Sequence, residues 1–551
     1  MTAAQETVVR IQAYSLSEYE QLEGPPFPGG DLDFEVPFQI GMPGALSTTY
    51  VGTHGRTTRP DDTPPNQVIL GGFNGRLNYA ITLFGGIDPS TGGRVGTEGS
   101  LALGPAPELQ ALLGRLIDGA GVDIFRGPQG RPLSSFETAA RLTAAGLMID
   151  GQGKDLALRD RSWLLSTALH DLRYAGTGGL EGPTELANVW RPIALGYVEK
   201  VPPVLVDPPR QIYQVSCARV QAVTAVQIGG AEVTPSEVDY PTYDALAAAV
   251  DAEDIAEGTF ATCLAYGLFA LGGAATRQVT ATVEGDAEVI DGLGYASTRA
   301  AIARRIATGR GAERFAAADL DLASFAALDA AFPERCGWYW DSEITKEAAL
   351  DDVMRGVLGL WFVTMQGKLT LWWLREPPPA EEADYELIRR SGDLRGGDAD
   401  IIGQPVMVTR ATSPRRRTDL GYAKNYAVQT QDQLAGALAG TTAALAWGLP
   451  QQTVSEAATW ISRVAPTAPA VVVETGYPDE ASALAECRRA QALLGVQRTP
   501  WKMRTSFPDG TDVVGKSIAI RGFADLGLDG RVAWCIGAEP ESGLLTLTLW
   551  S

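Results

Sequence analysis

Apolar and polar residues alternate in several stretches of the chain, and this period of two is typical of a strand with one buried face. The alternating apolar positions are Phe34, Val36 and Phe38; Leu77, Tyr79, Ile81 and Leu83; Ile518 and Ile520; Val532, Trp534 and Ile536; and Leu545, Leu547 and Leu549. The last three sets predict a C-terminal meander that closes, or nearly closes, into a small barrel. Residues 1 to about 130 are predicted to be mostly strand, and 136–158 to form a strand pair around Gly151-Gln152-Gly153.

Other stretches carry apolar residues three or four positions apart, which is the spacing of one helix face. Helices are predicted at Pro107 to Ile117, Asp160 to His170, Tyr243 to Val250, Ser297 to Thr308, Asp321 to Phe332, Lys346 to Leu358 and Asp479 to Leu494. The last helix lies between strands predicted at 471–475 and 500–507, which indicates a βαβ-like unit. Gln366-Gly367 separates two aromatic strands and predicts a hairpin.

The length of 551 residues exceeds what one hydrophobic core usually organises, so several domains are expected. The 62 glycines and 34 prolines suit many short strands joined by turns. We predict a multidomain, mainly β protein with α+β insertions and small β-barrel domains. The predicted segments are a β-rich N-terminal domain with short helices at 1–200, a central β-rich module at 201–290, a helical segment with an aromatic hairpin at 291–376, and an α+β barrel-like domain at 385–551.

The formal net charge is −21, from 66 acidic and 45 basic residues. Such a surface repels phosphate, which disfavours tight binding to nucleic acid or to an anionic membrane. The five cysteines are widely spaced without a CxxC pair, so buried free thiols are expected rather than a disulfide framework or a zinc cluster. We predict no signal peptide, and no membrane insertion, because the longest apolar run falls short of the ~20 residues of a membrane helix.

The chain has two histidines, His54 and His170, so a zinc site or a serine triad would use one of them. His54 lies near Asp61 and Asp62 in a polar loop, 53–65, that is predicted to be mobile. A metal site is one interpretation of this loop, and a solvated histidine is the one we favour. His170 is predicted to end a helix, where a cation near the terminal carbonyl groups is favourable, so a capping or surface role accounts for it.

The segment from Trp338 to Glu343 is the strongest indication of enzymatic chemistry, since glycosidases use two carboxylates beside aromatic residues. Asp341 and Glu343 would point to the same face of an extended segment, with nothing to hold them on opposite sides of a sugar. We therefore favour an aromatic strand with polar neighbours.

Three further motifs have simpler interpretations than catalysis. Cys263 and Cys336 lack a nearby base that could activate a thiol nucleophile. Gly176-Thr177-Gly178-Gly179 lacks the Gly-Lys-Ser/Thr ending of a phosphate loop and is interpreted as a connection. The basic run Arg415-Arg416-Arg417 is expected to be solvated, or to meet an acidic partner surface. No catalytic, cofactor-binding or metal-binding residue is assigned.

The central block, from Val204 to Asp286, consists of short predicted strands with glycine turns and one helix. Its pieces, in order, are Asp207-Pro208-Pro209, Tyr213-Gln214, Gly229-Gly230, Gly258-Thr259-Phe260-Ala261-Thr262, and Val279-Thr280-Ala281 leading to Gly285-Asp286. This order resembles a recurring segment of tail proteins from long-tailed bacteriophages and prophages. A similar run precedes it, from Tyr174-Ala175-Gly176 through Arg191-Pro192 to Gly196, and Gly421 to Gln429 is similar to a segment that opens a hub barrel domain.

The resemblance implies a baseplate or tail tip hub, with tube-like barrel domains assembled as a homotrimer in the virion after assembly in the host cytoplasm. Expected partners are a distal tail protein, a tape-measure protein and a tail fibre or spike protein, with DNA only passing through the lumen during ejection. Some of the excess carboxylates are expected to line that conduit and repel phosphate. The alternatives are a receptor-binding tail fibre protein, which should be more repetitive, and a tail-associated peptidoglycan hydrolase, which would need Asp341 and Glu343 or His54.

Overall fold

The computed structural model describes most of the chain. The described residues are 5–16, 43–54, 56–71, 73–83, 98–103, 112, 115–149, 154–389, 399–408, 414–438, 440–468, 470–508, 511–541 and 544–551. The strand predicted at Phe34, Val36 and Phe38 lies outside these ranges, as does the turn predicted at Gly151-Gln152-Gly153.

The described residues between 5 and 159 contribute nine strands to a mostly antiparallel sheet. They are β1 (Gln5–Leu16), β2 (Pro43–Gly52), β3 (Arg56–Thr57), β4 (Val68–Gly71), β5 (Phe73–Thr82), β6 (Glu98–Leu103), β7 (Arg115–Pro128), β8 (Glu137–Ile149) and β9 (Lys154–Arg159). They lie side by side in the order β5-β6-β9-β8-β7-β1-β2-β4-β3. Leu77, Tyr79, Ile81 and Leu83 are all buried, as their alternation predicts.

One predicted helix in this region is wrong at its C-terminal end. The helix from Pro107 would begin outside the described residues, and its last positions, Leu116 and Ile117, lie in β7 instead. Leu116 pairs with Tyr14 of β1, so backbone pairing with a distant strand decides the conformation here. Leucines spaced by three or four residues do not by themselves exclude a strand.

Residues 193–340 form a second sheet with three helices. Its elements are β10 (Ile193–Val201), β11 (Val204–Asp207), β12 (Ile212–Gln214), β13 (Ala222–Ile228), β14 (Ala231–Asp239), α1 (Tyr243–Asp251), β15 (Thr259–Cys263), β16 (Leu268–Leu271), β17 (Val279–Gly285), α2 (Arg299–Gly309), α3 (Leu322–Ala331) and β18 (Gly337–Trp340). The strand order is β11-β12-β16-β15-β14-β13-β17-β10-β18. The predicted helices at Tyr243, Ser297 and Asp321 are confirmed.

A helix and a hairpin connect this sheet to the C-terminal part. They are α4 (Lys346–Arg355), β19 (Gly359–Val363) and β20 (Leu369–Trp373), and the two strands pair antiparallel around the predicted turn. The helix ends earlier than predicted because Leu358 adopts a left-handed backbone conformation, with φ of 52°. That conformation cannot continue a right-handed helix.

The C-terminal part contains ten strands and three helices among the described residues. They are β21 (Tyr385–Ile388), β22 (Ala399–Asp400), β23 (Val406–Met407), β24 (Arg417–Tyr422), α5 (Thr442–Gly448), β25 (Gln452–Ala457), α6 (Thr459–Val464), β26 (Ala470–Glu474), α7 (Glu480–Leu494), β27 (Pro500–Pro508), β28 (Ser517–Arg521), β29 (Val532–Glu541) and β30 (Leu544–Trp550).

The strand pairings close a small barrel, as the C-terminal meander predicts. β21 pairs with β28, β28 with β29, β29 with β30, and β30 with β27. Ile401 then bridges to Thr505 of β27, and the adjacent β22 pairs with β21. Leu545, Leu547 and Leu549 are buried inside. The structure is therefore mainly β, with several sheets, a small barrel and inserted helices.

The predicted βαβ-like unit is wrong, because its two strands belong to different sheets. β26 pairs in parallel with β24, which also pairs with β25. β27 instead pairs with β30 in the barrel. The helix between them, α7, packs against β24 and β25.

Strand β29 joins the N-terminal strands to the barrel. Beyond Cys535 its register against β30 shifts, and Gly537 and Ala538 pair with Thr82 and Ile81 of β5. One hydrophobic core accordingly contains residues from both regions, such as Leu101 and Ile536. The boundaries at 200, 290 and 376 remain predictions, but the first and last predicted segments share a sheet.

Candidate functional site

His170 is a buried packing residue and does not end a helix. The predicted helix end and the predicted capping or surface role are therefore both wrong. Only Arg161–Leu165 forms a short 3-10 helix, and Ala168 bridges to Thr345 in an antiparallel pairing that keeps the following residues extended. His170 is 3% exposed, and its Nε2 lies 3.3 Å from the carbonyl oxygen of Trp340. Because a carbonyl can only accept, Nε2 carries the hydrogen and donates it.

Burial lowers the pKa of His170, against the opposing influence of the Trp340 carbonyl and of nearby carboxylates including Asp341 and Glu343. The neutral imidazole is therefore favoured in the folded state. A buried neutral histidine that donates to the main chain ties the 166–170 stretch to β18. It is not placed to act as a base on a solvent-borne substrate.

Asp341 and Glu343 lie next to His170, a proximity that the sequence did not predict. Both are exposed. Trp190 Nε1 donates to Glu343 at 3.3 Å, and Arg173 lies 3.8 Å from the same carboxylate. The Arg173 guanidinium also stacks 3.6 Å from the centre of the Trp190 ring. The Glu343 carboxylate is therefore held by two neighbours, which fits the favoured interpretation of an aromatic strand with polar neighbours.

The residues of 53–65 that were considered for a metal site differ in burial. His54 and Asp61 are exposed, whereas Asp62 is 6% exposed. Asp62 accepts hydrogen bonds from the backbone N–H of Leu133 at 2.9 Å, Ser134 at 3.2 Å and Thr63 at 2.8 Å. Burial alone would raise its pKa, but these hydrogen bonds prevail and the pKa is lowered.

These hydrogen bonds tie the loop to the segment at Leu133 and Ser134. The prediction that the loop is mobile therefore lacks support at Asp62. Within the described ranges, no group of three or more His, Cys, Asp or Glu side chains could hold a metal ion.

All five cysteines are free thiols; four are buried, as predicted, and Cys217 is partly buried. Burial raises the pKa of Cys263 and of Cys336 to about 11, so both are protonated near neutral pH.

Gly176 and Gly178 have φ of 72° and 96° in a connection before the second sheet. Arg415 is 3% exposed, so the prediction of a solvated basic run is wrong at that residue, while Arg417 pairs with Asp419 at 2.7 Å.

A buried ionic cluster forms around Asp286, the last residue of the central block. Asp286 is fully buried between Arg310, whose NH2 lies 2.7 Å from Oδ2, and Arg305, whose NH1 lies 3.3 Å from Oδ1. Arg305 also donates to the carbonyl oxygens of Glu288 at 2.6 Å, Leu293 at 2.9 Å and Gly294 at 2.6 Å. The cluster thereby fixes the chain between β17 and α2.

Lys346, at the first turn of α4, is a buried cation without such compensation. Its side chain is fully buried, and among the described residues its Nζ has no hydrogen-bond partner. Burial, aided by repulsion from Arg314, lowers its pKa to about 8.

We expect Lys346→Met to stabilise the protein at pH 7 and to remove a pH dependence. An unfolded lysine titrates near 10.4, so between about pH 8 and pH 10.4 the unfolded chain holds a proton that the folded chain lacks. The free energy of unfolding therefore rises with pH across this window, by on the order of 3 kcal/mol. Below the window Lys346 adds no pH dependence, and its destabilising effect is fully present. Urea unfolding at pH 7 and pH 10 measures the rise.

The matched control is Lys368→Met, because Lys368 is exposed. It should leave the pH dependence of the wild type intact. An unchanged gap in stability between wild type and Lys346→Met at the two pH values would contradict the expectation.

An aromatic cleft lies between β18 and the end of β26. The chain just after β26 contacts β18, where the N–H of Gly337 donates to the carbonyl oxygen of Gly476 at 3.0 Å. Beyond this contact lies a cavity of about 110 Å³ whose lining includes Trp340, Asp352, Arg355, Lys424, Tyr426 and Glu474. We call this cavity the β18–β26 cleft. The sequence had singled out Trp340 in its aromatic segment, but nothing local connects it with residues about 80 to 130 positions later.

The cleft has a rigid aromatic floor. The backbone N–H of Tyr339 donates to the Tyr426 hydroxyl at 3.2 Å, and the two rings meet edge to face with centres 5.5 Å apart. Burial raises the pKa of Tyr426 above its usual range, so this hydroxyl stays protonated. Two ion pairs line the cavity: Arg355 to Asp352 at 3.7 Å, and Lys424 to Glu474 at 3.4 Å.

The tip of the β13–β14 hairpin docks on the segment before α5. The backbone N–H of Ala435 donates to the carbonyl oxygen of Gly229 at 2.7 Å, and Arg277 donates to the carbonyl oxygen of Asp432 at 2.9 Å. Lys200 lies 4.9 Å above the ring of Trp447. These contacts fix the central sheet against the C-terminal part.

Among the described residues, no helix is long and apolar enough to cross a bilayer.

Comparison with solved structures finds tail and virion components. The chain is similar to the tail protein from Neisseria meningitidis MC58, with 8% identity and a TM-score of 0.35 over 87% of this chain and 94% of that one. It is similar to a chain of the native gene transfer agent virion, with 13% identity and a TM-score of 0.38 over 65% and 84%. It is also similar to prophage tail protein gp18 from Listeria monocytogenes EGD-e, with 8% identity and a TM-score of 0.30 over 89% and 93%.

No protein-family model matches the chain, and the search of curated proteins gives no match.

Proposed function

We propose that this chain is a non-enzymatic structural protein of a phage-type virion, acting as the baseplate or tail tip hub. The observation that carries the proposal is where the central-block segments, from Asp207 to Asp286, lie in the structure. Tyr213-Gln214 lies in β12, Gly229-Gly230 forms the β13–β14 turn, and Gly258 to Thr262 leads through β15. All these strands belong to one sheet, so the central-block segments that resemble tail proteins form one physical unit.

The sheet edges support assembly with further copies. The N-terminal run of strands ends at β3, which has only two residues, and the central sheet ends at β11 and β18. Unpaired edges are liable to add strands from other chains, and an assembly can cover them. In the proposed hub three copies surround a conduit, take over from a distal tail protein, meet the tape-measure protein and carry a fibre or spike.

We expect three copies of the chain in each particle. A reconstruction of the tail tip, with the chain located by a short tag inserted in the exposed Asp529-Gly530 turn, measures the copy number and the position. Six or more copies in one ring would contradict the hub assignment, and absence of the tag from the particle would contradict the virion role. A matching tag on a major tail tube protein serves as the positive control.

The non-enzymatic part of the proposal has its own test. The purified chain should not clear a suspension of bacterial walls, whereas a known muramidase at the same molar concentration should. Clearing that is lost in an Asp341→Asn, Glu343→Gln double variant would favour a wall hydrolase instead.

A further inference from the structure

We propose that the β18–β26 cleft binds a single uncharged sugar ring. This role goes beyond a structural function in the virion and does not depend on it. It rests on the size of the cleft, the balance of its charges and the character of its floor.

The size of the cleft suits one ring. Its volume of about 110 Å³ is well above the roughly 10–15 Å³ that one water needs. An enclosed apolar cavity of about 150 Å³ takes up benzene, so an open cleft slightly smaller than this can seat most of a six-membered ring. A longer glycan would have to continue along the surface outside the cleft.

The charges of the cleft sum to zero, in a chain whose net charge is −21. Asp352 and Glu474 contribute two negative charges, and Arg355 and Lys424 contribute two positive ones. A phosphate would meet both carboxylates, and a metal ion would meet both cations, so neither is favoured. An uncharged ligand faces no such repulsion.

The same four side chains suit hydroxyl groups. Arginine and lysine only donate hydrogen bonds, while ionised carboxylates only accept them. Each sugar hydroxyl both donates and accepts, so a hydroxyl can satisfy a carboxylate and a cation of one ion pair together. With side-chain exposures of 39% for Asp352, 52% for Arg355, 40% for Lys424 and 62% for Glu474, all four are accessible to a ligand.

The floor supplies apolar contact and is held in place before a ligand arrives. Trp340 is partly exposed, and its carbonyl oxygen accepts from the buried His170. Tyr426 is fixed by its hydroxyl contact with β18, and Lys424 lies 5.1 Å from the centre of its ring. Aromatic faces pack against the apolar C–H groups of a ring, and a preorganised floor reduces the entropy lost on binding.

The experiment measures binding of methyl glycosides to the full chain by saturation-transfer NMR and calorimetry. The panel contains hexosides, 6-deoxyhexosides and N-acetylhexosaminides, with inorganic phosphate as the charged comparison. At about 10 mM ligand, a site with a Kd of roughly 1 mM is mostly filled. We expect at least one glycoside to bind and phosphate to give no heat of binding in the calorimeter.

A double variant and a matched control locate the site. Lys424→Ala with Glu474→Ala should weaken the binding roughly tenfold, which corresponds to about 1.4 kcal/mol. Lys502→Ala with Glu539→Ala removes an ion pair of similar exposure on the barrel, 2.5 Å apart with exposures of 40% and 43%, and should leave binding unchanged. Circular dichroism confirms that both variants are folded.

Three results would overturn the proposal. They are the absence of binding by every glycoside of the panel, an equal effect of the two double variants, and binding of phosphate in place of the sugars. Since each of these leaves the copy number and the position in the particle unaltered, failure of this proposal is distinguishable from failure of the hub assignment.

Discussion

Replacing Asp286 by asparagine should destabilise the central sheet by about 3–5 kcal/mol, the typical cost of leaving a buried charge without its partner. Asp286 is fully buried and lies between the guanidinium groups of Arg305 and Arg310, which are themselves buried. The substitution removes one negative charge and almost no volume. It leaves two buried cations with Glu288 as the remaining nearby carboxylate, and that side chain is 42% exposed.

Asparagine is the appropriate replacement because of the backbone at this position. Asp286 has φ of 46°, in the left-handed region that aspartate and asparagine adopt more readily than other non-glycine residues. Asp286→Asn therefore tests the charge and not the backbone. The melting transition of the central sheet should fall by roughly 10 °C, which differential scanning calorimetry measures.

The matched control is Asp254→Asn, an exposed residue in the same sheet region, after α1. It should shift the transition by less than about 0.5 kcal/mol, as surface substitutions usually do. If Asp286→Asn melts within a degree or two of the control, the ionic cluster does not hold this part of the fold together.

Removing residues from Leu544 onward should leave the chain insoluble. β30 lies between β27 and β29 in the barrel, so its loss opens the ring of strands and exposes two edges. Leu545, Leu547 and Leu549 are 3%, 0% and 0% exposed, and each buried leucine contributes roughly 1.5–3 kcal/mol. Fractionation of cell lysates should place the truncated chain in the pellet.

A pair of point variants separates loss of the barrel from shortening of the chain. Leu547→Asp introduces a charge at a fully buried position, whereas Val406→Asp introduces it in the same barrel at a position 62% exposed. The first should be insoluble and the second soluble. Recovery of a soluble truncated chain with unchanged melting would show that β30 is peripheral.

Elements that depend on local periodicity were predictable from the sequence. Leu545, Leu547 and Leu549 of β30 are buried as their alternation predicts, although Thr546 and Thr548 between them are buried too. Gln366-Gly367 marked the β19–β20 turn. In both cases, neighbouring residues in the sequence are also neighbours in the structure. The same holds for Tyr243 to Val250, where Thr242 caps the helix by accepting from the backbone N–H of Ala245.

Features set by distant partners were not predictable. The apolar residues after Asp160 fit a helix, but pairing of Ala168 with Thr345 keeps the chain extended. The sequence predicted that Asp62 lies in a polar, mobile loop. In the structure its carboxylate accepts hydrogen bonds from the backbone N–H groups of Leu133 and Ser134, about 70 residues away. The β18–β26 cleft combines Trp340 with Lys424 and Glu474, and no short pattern in the sequence signals that meeting.

The sharing of β29 between the barrel and the N-terminal strands has a consequence for synthesis on the ribosome. β5 pairs with β6 soon after both emerge, but its other edge must wait for Gly537 and Ala538. At about 5–20 residues per second, the roughly 450 intervening residues take on the order of half a minute to a minute and a half. During that interval the nascent chain carries an unpaired strand edge, which is a site where aggregation can begin. Chains released before β29 is made keep that edge open, so the last part of the chain to be translated determines whether the first part is complete.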